Sequence, residues 1–119
     1  MMRPTDSTVA VYVCAGPVDF RKGIGRLAVL VESQLQLDPF AEALFVFANK
    51  SRNAIKLLYW ERNGFCLWQK RLEKDRFVWP KVNSAGVVTL TVQQLNWLLE
   101  GYDISQMKPH PALNYRSVL

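Results

Sequence analysis

Residues 54–80 read AIKLLYWERNGFCLWQKRLEKDRFVWP, and the way this stretch pairs with itself decides the fold. Two runs of large apolar residues, 55–61 and 65–72, flank Asn63-Gly64, the strongest short-range hairpin signal in the chain. With Asn63 and Gly64 as the central turn residues, Arg62 faces Phe65, Trp60 faces Leu67, Leu58 faces Gln69 and Lys56 faces Arg71. The other side then carries Tyr59 with Trp68, Leu57 with Lys70, Ile55 with Leu72, and Glu61 with Cys66. A hairpin that buries one face alternates apolar with polar residues. This one does not. Both of its sides mix apolar and cationic groups, so a second side needs a partner.

Outward from the hairpin, the β-branched run 9–14 ends at Ala15-Gly16-Pro17 and reads as a short strand. Phe20, Ile24, Leu27, Ala28, Val31 and Leu35 repeat at helical spacing, with Asp19 placed as N-cap and Asp38-Pro39 as the stop. Residues 44–47 form a strand and 49–53 have turn composition. Residues 87–90 read as a further strand. Thr91 and Gln94 make a capping box that opens a short helix at 92–100, with Gly101 beyond its end. The expected fold is α+β: an antiparallel sheet of about five strands, one long helix packed on a face, and a short C-terminal helix. Residues 1–103 form the domain, and 104–119, with Pro109 and Pro111, an extended tail.

The chain has 119 residues, half of them hydrophobic, and a net charge of +5. It can therefore bury a core without disulfides or a metal. The charge is unevenly placed. Residues 50–81 hold nine basic and three acidic side chains, and the remainder holds six and seven. A clustered positive field favours a polyanion, above all nucleic acid. Pro4 and Asp6 stand where a signal peptide would be apolar, and no run reaches the roughly eighteen apolar residues of a membrane span. Cys14 and Cys66 lack CxxC spacing. A cytoplasmic protein with reduced thiols and no membrane partner is expected.

Two places break local rules. In GPVDFRKGIG, residues 16–25, Arg21 and Lys22 fall in the first turn of the expected helix, where the dipole disfavours cations. Gly23 and Gly25 weaken the same turn by about 1 kcal/mol each relative to alanine. Free N–H groups beside two cations suit a phosphate. Alternatively the helix starts near Gly25 and the preceding residues are loop. In the hairpin, Lys56 opposite Arg71 is a like-charge pair whose cost a bound anion would remove. Cations beside aromatic rings are the chemistry of single-strand binding. Alternatively, Trp60 and Leu58 pack under the helix and the cations line a solvated rim. Residues 44–50, LFVFANK, lack the glycine signature of RNA-recognition strands and read as core.

Catalysis is poorly supplied. His110 is the lone histidine and lies between two prolines. The ten acids form no metal motif, and no P-loop, nucleophile elbow or zinc spacing occurs. Neither catalytic residues, a metal nor a cofactor is expected. Glu73 and Asp75 alternate with Lys74 and Arg76, which reads as a solvated charged turn.

Pro17-Val18-Asp19 with Arg21-Lys22-Gly23, then Asp38-Pro39-Phe40, Lys56-Leu57-Leu58-Tyr59-Trp60, Lys70-Arg71-Leu72-Glu73, Phe77 and Trp79-Pro80 form a specific combination. With it the chain resembles the small TnpB-type accessory proteins of bacterial insertion sequences of the class numbered sixty-six, from about residue 9 to 103. The resemblance implies support of transposition beside a separate transposase that cuts and joins DNA. It does not extend to the RNA-guided nucleases also called TnpB, which are far longer and carry acidic motifs. Gln69 and Ala48 depart mildly from the family pattern. The expected role is a non-catalytic factor contacting nucleic acid, DNA above all, through Arg21, Lys22, Lys50, Arg52, Lys56, Lys70 and Arg71. A protein adaptor for the transposase, using an apolar face or the tail from Gln106 onward, is the second reading. A small nuclease is the third.

Overall fold

The computed structural model describes residues 9–81 and 86–107. Its elements run β1 (Ala10–Cys14), α1 (Ile24–Ser33), β2 (Ala43–Ala48), β3 (Ala54–Glu61), β4 (Gly64–Arg71), β5 (Val87–Leu90) and α2 (Val92–Leu99). The class is α+β, as expected. The five strands lie in the order β4-β3-β2-β1-β5. β1 and β2 are parallel and every other pair is antiparallel. The sheet is therefore mixed, not antiparallel. The cause is α1, which carries the chain back between adjacent strands so that both leave the sheet at the same end.

Helices cover both faces of the sheet. Leu27, Leu30 and Val31 of α1 pack with Ala43, Phe45, Phe47 and Leu58. Leu95, Leu98 and Leu99 of α2 pack with Val11, Val13, Leu44, Val46 and Leu57 on the other face. β2 lies between them with all six residues buried. That is why ALFVFA reads as a continuous apolar run with no alternation. Removing a ring such as Phe45 from this layer would cost about 3–5 kcal/mol.

The long helix expected over 20–35 is only ten residues, Ile24–Ser33. Before it, the Asp19 carboxylate accepts from the Arg21 N–H at 2.9 Å, and the Lys22 N–H donates to the Asp19 carbonyl at 3.0 Å. That turn uses the residues assigned to the first helical turn, so Arg21 and Lys22 precede the helix and are clear of its dipole. Gly23 is the N-cap, without a side-chain cap. At the far end Gln36 has a φ of 55°. Leu35 and Leu37 nonetheless pack on the α1 side of the core, which is why the apolar periodicity outruns the helix.

The hairpin closes one residue earlier than expected. Glu61 pairs with Gly64, leaving Arg62 and Asn63 in the turn. Arg62 takes φ 54°, and the Asn63 N–H reaches the Glu61 carbonyl at 2.5 Å. Every pair slides by two, to Lys56 with Gln69, Leu58 with Leu67, and Trp60 with Phe65. An even slip keeps each side chain on its expected side. Only its neighbours change, and the Lys56–Arg71 opposition does not exist, since Arg71 stands across from Ala54.

The capping box of α2 is present, with Thr91 N–H to Gln94 Oε1 at 2.9 Å and Gln94 N–H to Thr91 Oγ at 3.0 Å. Gly101 at φ 95° closes its other end, where Tyr102 N–H donates to the Trp97 carbonyl and Gly101 N–H to the Leu98 carbonyl. The chain then makes a 3-10 turn at Ile104–Gln106, with Ile104 against the core, where an extended segment is expected. The tail from 108 onward, with His110, lies outside the described residues.

Candidate functional site

Because β1 and β2 run parallel, the loops that follow them, residues 15–23 and 49–53, emerge at one end of the sheet. Val18 N–H donates to the Ala48 carbonyl at 2.9 Å, tying the first loop to the last residue of β2. A third segment crosses the same end on its way from β4 to β5. Leu72 N–H donates to the Asn53 carbonyl at 2.8 Å and Phe77 N–H to the Arg52 carbonyl at 2.7 Å. The Trp79 indole N–H donates to the Cys14 carbonyl at 3.1 Å. Buried Phe77 and Trp79 thus hold the intervening charged residues against the sheet.

Between the three segments lies a cleft of about 760 Å³, lined by Pro17, Val18, Asp19, Phe20, Arg21, Asn49, Lys50, Ser51 and Arg76. Ligands of open sheets with parallel strands characteristically bind beyond their carboxyl ends. Arg21, Lys50 and Arg76 are all exposed. The one acid in the lining is Asp19, which Arg21 grips at 2.7 to 3.1 Å through Nε and Nη2. Hydrogen bonds from the Arg21 side chain, then from its backbone, pull the Asp19 carboxyl down to about 2. Asp19 thus offsets part of the charge of Arg21, and among the described residues no ion pair engages Lys50 or Arg76.

The second loop is held by side chains. Asn49 Oδ1 accepts from the N–H groups of Asn53 and Ala54 at 3.1 and 3.2 Å. Asn49 Nδ2 and Ser51 Oγ donate to Asn53 Oδ1 at 2.6 and 3.0 Å. Arg52 sits at φ 59°, with its guanidinium 5.8 Å from the Trp79 ring centre. Lys50 therefore projects from a turn fixed on both sides.

The seven cations singled out from the sequence part company. Arg21 and Lys50 meet in the cleft. Arg52 lies beside it on Trp79. Lys22 lines two neighbouring recesses, one with Gly25 and Arg26 and one with Cys14 and Gly16. Arg71 is exposed at the same end of the sheet, at the foot of β4. Lys56 is a correction. It is 6% exposed, and its amine donates to the carbonyls of Phe20 and Lys22 at 2.9 and 3.3 Å. A buried ammonium needs acceptors, and here the loop supplies them. Lys70, half-buried, also has an internal partner: its amine donates to the Leu99 carbonyl at 2.7 Å, where a cation suits the C-terminal end of α2. Both amines thus give a donor to backbone carbonyls of the fold.

The sequence pattern places Arg76 in a solvated turn, and the structure brings it to the cleft. The signal that could have found it is the apolar pair just beyond, Phe77 and Trp79, which anchors that turn. The aromatic residues also separate from the cations. Phe40, Trp60 and Phe65 cluster near the hairpin tip with ring centres 5.0 to 5.3 Å apart, at the end of the sheet away from the cleft. Tyr59 and Trp68 pack on the α2 side. Phe20 is the aromatic residue left in the cleft lining. Cys14 is buried, which pushes its thiol up. Among the described residues no group of three His, Cys, Asp or Glu side chains could hold a metal ion, and no helix is long and apolar enough to cross a membrane.

Residues 9–109 match the family described as IS66 Orf2-like protein. The chain is similar to the uncharacterised protein y4hO of Sinorhizobium fredii, 37% identical over 102 residues that cover 86% of this chain and 88% of that one. It is also similar to the uncharacterised protein y4jC of the same organism, at 34% identity over 102 residues and 86% of each chain. No solved structure matches it significantly.

Proposed function

We infer that this chain, which belongs to the IS66 Orf2-like family of insertion-sequence accessory proteins, assists transposition by binding nucleic acid at the cationic end of its sheet. One observation carries the reading. Arg21, Lys50 and Arg76, distant along the chain, share one cleft with a single acid among them. Lys22, Arg52 and Arg71 extend the positive surface around it. Exposed guanidinium and ammonium groups contact phosphates, so binding is tolerant of sequence and weakens steeply with salt. DNA is the expected partner because the element moves as DNA.

The test is affinity for a labelled duplex at two salt concentrations, with the double variant K50E/R76E and the hairpin-tip variant R62E. Binding falls with salt, collapses in the double variant and persists in R62E. Absent binding, or binding flat with salt, contradicts the reading. A second reading, docking onto the transposase, is favoured by Phe40, which is 55% exposed and meets Trp60 edge-on and Phe65 at a tilt. A pull-down with the element's other proteins in nuclease-treated extract separates the two, and loss of contact after that treatment counts against the adaptor.

A further inference from the structure

The lining of the cleft changes character with depth. Val18 is buried and Phe20 half-buried, whereas Arg21, Lys50 and Arg76 are exposed. The deeper lining is apolar and the outer lining cationic. The phosphates of a paired duplex can be met by a convex or flat row of cations and require no recess. A recess of about 760 Å³ with an aromatic ring in it accommodates a flat heterocycle. The ring is also restrained, with the Lys56 amine 4.8 Å from its centre and bonded to the Phe20 carbonyl. A platform already in place binds without an ordering cost.

We propose that the cleft takes one unpaired nucleotide, with its base on Phe20 and its phosphates at Lys50 and Arg76. The protein would thereby favour frayed or single-stranded ends over fully paired duplex. The proposal rests on the nucleic-acid reading above. Base identity is not read, because the neutral hydrogen-bonding side chains in the lining, Asn49 and Ser51, are tied into their own turn and Asp19 is held by Arg21. Stacking and charge remain, and every base has a face to stack.

The test compares a blunt duplex with the same duplex carrying a short unpaired extension, by fluorescence anisotropy at one salt concentration. The extended duplex binds about tenfold more tightly. Phe20→Leu, which still melts cooperatively, removes that difference, whereas R62E at the hairpin tip retains it. A second measurement uses the unaltered protein. With 5-iodouracil at the unpaired position, irradiation crosslinks Phe20. Equal affinity for the two duplexes, or crosslinks confined to residues outside the cleft, overturns the proposal. Displacement of the oligonucleotide by an equimolar free nucleoside monophosphate overturns it too, since the site would then serve a small metabolite. Salt-dependent binding with no preference defeats only this proposal, whereas no binding to any nucleic acid defeats the parent reading as well.

Discussion

Among the described residues the Lys56 amine contacts no carboxylate, only two carbonyl oxygens and the Phe20 ring. It is the strut under the loop that forms one wall of the cleft. Lys56→Met keeps the aliphatic stem and removes the donor, leaving the Phe20 and Lys22 carbonyls unsatisfied. Urea unfolding should show a loss of about 1–3 kcal/mol, and an unchanged midpoint would refute the strut. Asp19 acts in the opposite sense, restraining Arg21. Its carboxyl, held near 2 by Arg21, lies below the ordinary 3.8. The pairing is therefore complete above the ordinary value and lost only as pH falls through about 2. Asp19→Asn retains an oxygen for the Arg21 N–H but drops the charge. Nucleic-acid affinity should rise, with a salt slope steeper by roughly one counterion; unchanged affinity would mean that Arg21 makes no phosphate contact. From sequence, Lys56 and Lys70 looked as available as Lys50. What distinguishes them is a carbonyl brought within reach by tertiary packing from 34 to 36 residues away for Lys56 and 29 for Lys70, which no local pattern reveals.

Strands, turns and caps were legible where the signal is local. The five strands, the capping box and Gly101 stand where the pattern put them, because each is set by neighbours a few residues apart. Boundaries failed where a side chain competed for the backbone. Asp19 built a turn of its own ahead of α1, and Arg62 entered the hairpin turn in place of Gly64. An L-residue in that left-handed conformation costs about 1–2 kcal/mol. Arg62→Gly should therefore stabilise the domain by about 1 kcal/mol, seen as a melting temperature higher by several degrees. A lower melting temperature would place the turn back on Asn63-Gly64. Gly23 and Gly25 have no positive φ, and a methyl group at either meets nothing within 4 Å. Gly23 serves as the N-cap of α1, a position that accepts glycine, and nothing in the structure explains Gly25.

The arrangement of the whole sheet was the least legible level. Parallel pairing of β1 with β2 joins residues 33 apart, Ala10 with Ala43, and depends on both strands finding a helix-covered face. Local periodicity could not choose it over an antiparallel sheet. That pairing makes the site, because it sends two loops out of the same end and lets the crossing from β4 to β5 close the third side. It also sorts the charge. Of the basic residues in the middle of the chain, Lys56 is buried, Lys70 caps α2, Arg62 stands at the hairpin tip, and Lys50, Arg52, Arg71 and Arg76 lie in or beside the cleft. The most direct measurement is a titration of isotope-labelled protein with DNA, followed by backbone amide chemical shifts. Binding at the cleft concentrates the shifts at residues 17–22, 49–52 and 76, with the hairpin tip at 61–64 and α2 unmoved. Shifts centred on Phe40, Trp60 and Phe65, or spread along α2, would contradict it.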